Sequence, residues 1–324
     1  MQEKVFTIQH PDQFTSACLN VFHFQYLHNA IYKRYVDYIG KQVSDIVHED
    51  DIPFLPIEFF KTQLIYAATP PPAIVFTSSG TTGSVTSAHH VADVHWYERS
   101  FRTCFAQFYG DIQHLAVLAL LPSYLERTGS SLIYMVDNLI QASGHPDSGY
   151  FLYNHNDLYK KLRKLKASGT RTLLIGVTYA LLDFCASYQL DFPELMVMET
   201  GGMKGKRKEM IREELHQLLC AGFGVEHIHS EYGMTELLSQ GYSFGEGIFH
   251  TPNWMKIRIR DTNDPLTLLA DGKTGAINVI DLANYYSCSF IATQDLGKLH
   301  ADGTFEILGR FDNSDIRGCN LLVQ

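Results

Sequence analysis

The sequence predicts an α/β protein in which a mostly parallel sheet is flanked by helices and followed by a small β-rich subdomain. Three observations predict it. Between Asn156 and His229, amphipathic segments of helical length alternate with short apolar runs three times, the pattern of strands covered by helices on both faces. After Trp254 the texture changes to alternating apolar and charged residues, beginning at Met255 to Arg260, which suits strands with unlike faces. Phe14 to Ile39 is dense in aromatic, leucine and histidine residues at three-to-four spacing and contains no proline, so one or two helices are expected ahead of the sheet.

The leading helices should present Phe14, Leu19, Phe22, Tyr26 and Ile31 on one side. Gly40 and then Asp50-Asp51-Ile52-Pro53-Phe54-Leu55-Pro56 turn the chain into an extended linker, because each proline disfavours helix in the residue before it. Ala73-Ile74-Val75 reads as a strand and Ser87 to Phe108 as a helix. His114 to Leu121, bounded by Pro122, is a further strand, after which Ser130 or Ser131 caps a helix carrying Leu132, Met135, Val136 and Leu139. Asn156 is the expected cap of a helix that buries Leu158, Leu162 and Leu165 and leaves Lys160, Lys161, Arg163 and Lys164 to solvent. Thr170 to Val177 is a strand, Thr178 to Tyr188 a helix and Leu195 to Met198 a strand. Met210, Ile211, Leu215, Leu218 and Leu219 mark a third helix ahead of a strand at Val225 to His229. Gly275 to Ile280 and Ile291 to Gly297 are strands, and Asp302-Gly303 turns a hairpin into Thr304 to Leu308. The organisation expected is a helical leader and linker over 1–60, an α/β core over 61–250, and a β-rich subdomain with a C-terminal tail over 251–324.

The formal charge of -9, without a basic patch interleaved with aromatics, argues against nucleic acid as the main partner. No stretch reaches about 18 uncharged apolar residues, and no positive segment with an apolar run opens the chain, so neither a membrane span nor an export signal is expected. The cytoplasm is then the default location. Cysteines at 18, 104, 185, 220, 288 and 319 show neither close pairing nor zinc-like spacing, which disfavours disulfides and a cysteine zinc site.

Six segments carry chemistry. Thr77-Ser78-Ser79-Gly80-Thr81-Thr82-Gly83 follows a strand, and its glycines let backbone N–H groups and hydroxyls turn toward an anion such as a phosphate. No lysine follows Gly83, so it is not the Gly-Lys-Ser/Thr nucleotide loop; composition alone suits a loop without a ligand equally well. Glu199-Thr200-Gly201-Gly202 also follows a strand and either admits a flat ligand or makes a tight turn. Ser230-Glu231-Tyr232-Gly233-Met234-Thr235-Glu236 joins an aromatic, a hydroxyl and a carboxylate, oxygen groups suited to a magnesium-bound polyphosphate. Thr293-Gln294-Asp295-Leu296-Gly297 and Gly309-Arg310-Phe311-Asp312 lie in the β-rich part. Arg317-Gly318-Cys319 places a thiol beside a glycine and near an arginine, where a thiolate is favoured; an inert buried thiol is the other reading.

In this order the segments resemble the motifs of the adenylate-forming superfamily, which includes acyl-CoA synthetases, luciferases and nonribosomal adenylation domains. Within it, the chain is most similar to the acyl-protein synthetases of bacterial luminescence and their non-luminous relatives. The resemblance implies the N-terminal domain of an adenylate-forming synthetase, using ATP and Mg2+, with Thr77, Ser78, Ser79, Gly80, Thr81, Thr82 and Gly83 as its phosphate loop. It implies that Tyr232, beside Gly233, stacks on adenine, that Gly201 and Gly202 pack on the nucleotide, and that Thr235 contacts the α-phosphate. Glu236 helps hold magnesium, Asp295 accepts the ribose hydroxyls, and Arg310 stands at the hinge. Gln294 occupies a position where glycine is usual. The lysine-bearing C-terminal domain of the longer synthetases is expected to be absent, and Cys319 to accept the acyl group. Leu121, Pro122, Ser123 and Tyr124 would form the mouth of an apolar acid pocket or simply connect a strand to a helix, and the loops carrying Tyr124, Tyr179, Phe244 and Phe249 would equally line a pocket for a short or aromatic acid. The implied reaction activates a carboxylic acid, a fatty acid in the luminescent relatives, to acyl-AMP and passes the acyl group through Cys319 to an acyl reductase or another acceptor protein. A nucleotide-binding regulatory protein without turnover and an acyl-CoA ligase are the alternatives.

Overall fold

Asn29 divides the two helices that the 14–39 pattern predicts. Between α1 (Pro11–His28) and α2 (Ala30–Tyr38), its Oδ1 accepts the Ile31 and Tyr32 N–H groups at 3.1 and 3.0 Å and caps α2. The computed structural model describes residues 2–78, 85–122, 129–201 and 210–310. The chain divides into two compact units, the first drawn from Met1–Ser100, Thr235–Ser239 and His250–Gln324, the second from Phe101–Met234 and Gln240–Phe249. The buried side of α1 is Phe14, Cys18, Val21, Phe22 and Gln25, a three-to-four repeat. Leu19 and Tyr26, expected on that side, flank the stripe and are only half-buried, and Ile31, expected with them, falls on α2 and is half-buried too. Gln25 is fully buried and ties α1 to the end of the first unit: Nε2 donates to the Asn284 and Tyr285 carbonyls at 2.9 and 3.0 Å, and Oε1 accepts the Ser289 N–H at 3.0 Å.

A buried carboxylate makes a second tie. Glu49, only 2% exposed, accepts Lys256 Nζ at 2.9 Å and Arg258 Nη2 at 3.3 Å on Oε1, and the Thr15 hydroxyl on Oε2. Burial by itself raises its pKa, but the bonds from Thr15 and Lys256 and the charges of Lys256 and His48 hold it below the ordinary glutamate range. Glu49→Ala should cost about 3 kcal/mol in urea unfolding, the low end for a broken buried pair because both cations keep some solvent. A lowered folded-state pKa means that the carboxylate's contribution is complete above the ordinary glutamate range and is lost as pH falls through the folded value. The two proteins should therefore converge in acid; a stability gap that stays constant down to about pH 2 would contradict the assignment.

β1 (Leu55–Pro56) and the short α3 (Phe59–Thr62) lead to β2 (Ile74–Thr77). The helix expected from Ser87 starts later, because β3 (Ala88–Val91) pairs antiparallel with β2 from Ile74↔Val91 to Thr77↔Ala88. The pairing satisfies the backbone of β2 and turns His89 and Val91 inward, which outweighs the local helical pattern. α4 (Val94–Tyr109) then begins after Asp93, whose Oδ1 accepts the His95 N–H at 2.9 Å.

The second unit contains β4 (Ala116–Leu120), α5 (Ser131–Ser143), β5 (Gly149–Phe151), α6 (His155–Ala167), β6 (Thr172–Val177), α7 (Thr178–Cys185), β7 (Met196–Thr200), α8 (Arg212–Phe223), β8 (His229–Tyr232) and β9 (Gly241–Ser243). It is a mixed sheet flanked by helices: β5, β4, β6, β7 and β8 run parallel in that order, and β9 pairs antiparallel with β8. Every residue of β4 and β6 is buried, as strands covered on both faces require. Ser130 caps α5 as expected, its Oγ accepting the Ile133 N–H at 3.3 Å. α6 buries Leu158, Leu162 and Leu165 as expected but takes Asn154, not Asn156, at its N-cap. β8 also differs from the 225–229 expectation. Its ladder pairs Glu199↔Ser230 and Thr200↔Glu231, so Glu231 and Tyr232 end a strand rather than open a loop.

After β10 (Ile248–His250), the first unit is completed by β11 (Met255–Arg260), β12 (Thr274–Asp281), β13 (Phe290–Leu299) and β14 (Phe305–Arg310), an antiparallel ladder in that order with β1 parallel to β13. The turn between β13 and β14 is the expected hairpin: Gly303 has φ +86°, and Asp302 Oδ1 accepts the Thr304 N–H and hydroxyl at 3.0 and 2.7 Å. Among the described residues no helix is long and apolar enough to cross a membrane. The cysteines among them are all free thiols.

Candidate functional site

In the first unit, the stem of the hydroxyl and glycine loop meets the Thr235-Glu236 pair. Thr77 ends β2 and Ser78 follows; Ser79, Gly80, Thr81, Thr82 and Gly83 lie outside the described residues, as do Ser123, Tyr124, Gly202 and Cys319. The stem is pinned by two bonds. The Ser78 N–H donates to the Ser87 carbonyl at 3.0 Å, and the Ser87 N–H donates to Ser78 Oγ at 2.9 Å. The Ser87 side chain hydrogen-bonds the Glu236 carboxylate, and His89 Nδ1 lies 2.8 Å from the Thr235 carbonyl, 146 residues away in sequence. Burial pushes the pKa of His89 down to about 4. The neutral ring must therefore carry its proton on Nδ1 to donate to that carbonyl.

The 235–239 stretch is held from a second direction as well. Asn284 Nδ2 donates to the Glu236 carbonyl at 2.8 Å. Asp281, fully buried, accepts the Leu238 and Ser239 N–H groups at 2.8 and 2.9 Å and the Ser239 hydroxyl at 2.6 Å. Burial raises the pKa of Asp281 against those bonds. Glu236, 5% exposed, is raised by burial too, against the Ser87 bond and the charges of Arg310 and Lys61. A carboxylate whose burial outweighs its protein partners is a group that a hard cation would stabilise. Among the described residues no group of three His, Cys, Asp or Glu side chains could hold a metal ion by itself. Glu236 thus fits magnesium, which typically takes one or two carboxylates together with substrate phosphates and water.

Asp295 lies on β13 of the same unit, its Oδ1 3.8 Å from Arg310 Nε. Its side chain is 16% exposed against 69% for Arg310, so the pair is held from the aspartate's side. Gln294, where glycine is usual in the resembling motif, is tethered: Nε2 donates to Glu58 Oε1 at 2.7 Å.

In the second unit, Gly201 follows β7 with φ +52°, a left-handed conformation that glycine adopts without strain. Tyr232 is 7% exposed, its ring centroid 6.3 Å from that of Phe249 in a T-shaped contact. A Cβ at Gly233 would fall 2.3 Å from Glu231 Oε1, so the glycine makes room for that carboxylate. Glu231 accepts the Thr200 hydroxyl at 2.6 Å; burial pushes its pKa up to about 7, opposed by the Thr200 bond and reinforced by the charge of Glu199. Leu121 and Pro122, after β4, are buried, as are Tyr179 and Phe249, while Phe244 is exposed. The sequence reading missed Ser87, His89, Asp281, Asn284 and Glu231 as members of these clusters. Only Glu231, inside a motif, carried a local signal.

Residues 146–324, more than half of the chain, match the family model described as acyl-protein synthetase, LuxE. The chain belongs to the LuxE acyl-protein synthetase family. No curated protein matches this LuxE-family chain significantly. Among solved structures, it is similar to an ATP-bound MatB from Rhodopseudomonas palustris, with TM-score 0.56 and 19% identity over 73% of this chain and 47% of that chain. It is also similar to a 2-hydroxyisobutyryl-CoA ligase in the postadenylation state with R3-HIB-AMP, with TM-score 0.67 and 11% identity over 96% of this chain and 70% of that chain. A third likeness is the long-chain-fatty-acid-CoA ligase FadD1 from Archaeoglobus fulgidus, with TM-score 0.56 and 15% identity over 78% and 54%. At these identities the likeness is one of fold, and the LuxE-family chain spans about half the length of the MatB structures it matches.

Proposed function

We propose that this chain joins a carboxylic acid to ATP, giving acyl-AMP and pyrophosphate, and then transfers the acyl group to Cys319 and onward to a partner protein such as an acyl reductase. The observation that carries the reading is the junction of the Ser78 and Ser87 stem with Thr235 and Glu236, which gathers hydroxyls and a buried carboxylate beside a glycine-rich loop. The acid's oxygen attacks the α-phosphorus as the bond to pyrophosphate breaks, and the loop's N–H and hydroxyl groups take up the charge that spreads over the phosphates. The Thr235 hydroxyl donates to the α-phosphate, and Glu236 would hold the magnesium ion. Magnesium, when bound, supplies charge neutralisation on the polyphosphate. Asp295 accepts the ribose hydroxyls, with Arg310 beside it, while Tyr232, Gly201, Gly202 and Gly233 receive the base. The Cys319 thiolate then attacks the acyl carbon, AMP leaves and a thioester forms. The side chains of Tyr179, Phe244 and Phe249 would suit an apolar acid, whether fatty, short or aromatic, and a fatty acid is the first to test.

Acid-dependent ATP–pyrophosphate exchange over a panel of carboxylic acids tests the first half-reaction, and exchange is expected with long-chain acids. Its absence across the panel would favour a nucleotide-binding protein without turnover, whereas a soluble thioester formed with added coenzyme A would favour a CoA ligase. The nucleotide anchors have their own test. Asp295→Ala should weaken ATP binding about tenfold, since it removes a charged acceptor for two hydroxyls. Tyr232→Phe should change binding less than about twofold, because stacking uses the ring. Equal losses in calorimetric titrations of the two variants would rule out the stacking role of Tyr232.

A further inference from the structure

Asp295 stands where β13 leaves its ladder with β12 while still paired with Arg310 on β14. The pairing with β12 passes from Asn278↔Ala292 to Ala276↔Leu296, so Thr293, Gln294 and Asp295 lie opposite Ile277 alone. On its other side, the pairing with β14 passes from Leu296↔Gly309 to Gly297↔Ile307, leaving Leu308 extra and exposed. Bulges of this kind release backbone groups from the ladder and re-aim side chains. One side chain from β11 fills the larger bulge. Arg260, 7% exposed, donates from Nη1 to the Ile277 carbonyl at 2.8 Å and to Asn278 Oδ1 at 2.7 Å, and from Nη2 to the Thr293 carbonyl at 2.6 Å. The Thr293 hydroxyl completes the lock, donating to the Ile277 carbonyl at 2.8 Å and accepting the Asp295 N–H at 3.1 Å.

A buried guanidinium bonded to neutral oxygens is an unusual choice for a sheet core. Burial pushes its pKa down to about 10, and the carboxylates of Glu58 and Asp295 oppose that, so it stays charged at neutral pH. An apolar side chain would fill the space at a smaller desolvation penalty. What it would not do is satisfy carbonyls on two strands at once, which the planar fork of arginine does and a lysine ammonium does not. From this geometry we infer that Arg260 is a positioning residue for nucleotide binding: its fork holds the 293–295 bulge open and aims the Asp295 carboxylate at the ribose hydroxyls. The inference rests on the proposed role of Asp295.

The test compares binding of ATP with that of 2′,3′-dideoxyATP, which lacks both hydroxyls, by calorimetric titration of the full chain. Arg260→Lys keeps the charge and loses the fork; Thr293→Val keeps the shape and loses the hydroxyl that fixes the Asp295 N–H. Each should lower the preference for ATP about tenfold, leave dideoxyATP binding unchanged, and add nothing when combined with Asp295→Ala. Should Arg260→Lys fail to fold, the Thr293→Val titration decides between the outcomes. Folded variants that keep the wild-type preference, or that lose affinity for both nucleotides equally, would overturn the inference and leave the role of Asp295 intact. Asp295→Ala is the separate arm: an unchanged preference there removes the ribose role itself, and the inference with it.

Discussion

Glu236→Gln is expected to lower acid-dependent ATP–pyrophosphate exchange by about 100-fold or more while the protein stays folded. The two effects separate because the carboxylate and the amide differ little in shape but greatly in what they offer a cation. In the resting protein, burial outweighs the help that Glu236 receives from Ser87, Arg310 and Lys61, so its charge is a burden to the fold. A neutral glutamine removes that burden, and the thermal midpoint should hold or rise, as happens where activity keeps a strained group in place. The sign follows from linkage. A carboxyl group whose folded pKa is raised stabilises the fold fully below its unfolded pKa, and that contribution disappears as pH rises through the folded value. Wild type and Glu236→Gln should thus be equally stable in acid and diverge in favour of glutamine above the ordinary glutamate range. Thr235→Ala should also slow exchange, by less, since it removes one neutral donor. An exchange rate and magnesium dependence unchanged in Glu236→Gln would show that this carboxylate does not hold the metal, whatever the stability data say.

What the sequence reveals of such a site depends on how far its contacts reach along the chain. Leu158, Leu162 and Leu165 are legible because a single helix turns them to one side, and the Ser130 cap is legible because donor and acceptor are three residues apart. The β2–β3 hairpin is hidden, since 88–91 follows a loop too long for a turn signature and its residues also suit a helix. β8 slips by four residues from expectation for a related reason: its register is set by β7, which stands about 30 positions earlier. The motif residues Thr235, Glu236 and Asp295 are recognisable as types of chemistry, yet what holds them is not. His89 reaches the Thr235 carbonyl across 146 residues, and Asp281 reaches the Leu238 N–H across 43. No local pattern distinguishes those two side chains from any other buried histidine or strand-end aspartate. The bulge that Arg260 fills is equally silent, because it exists only once β11, β12 and β13 have paired.

Cys319→Ser should abolish the covalent acyl label and leave adenylation in place. With ATP and a radiolabelled fatty acid, wild type is expected to carry label in a hydroxylamine-sensitive bond, while the serine variant still forms pyrophosphate but retains no such label. The chemistry asks for a thiolate, since the thiol form attacks an acyl-adenylate poorly. The described cysteines are poorly suited to supply one. Burial pushes the thiols of Cys185 and Cys288 up to about 12 and that of Cys18 higher still, and it raises Cys220 as well. Cys104 is buried, with its Sγ donating to the Gln240 carbonyl at 3.3 Å. Cys319 differs in its sequence setting, with a glycine before it and Arg317 two residues away to favour the charged form. Arg317→Gln should therefore slow labelling at neutral pH and recover toward wild type as pH rises, because hydroxide then does the work of the lost positive charge. Label that persists as a thioester in Cys319→Ser would assign the acceptor to another thiol. Loss of label together with loss of pyrophosphate formation would give Cys319 a part in the adenylation step or in the fold, and the transfer to a partner would then need a different carrier.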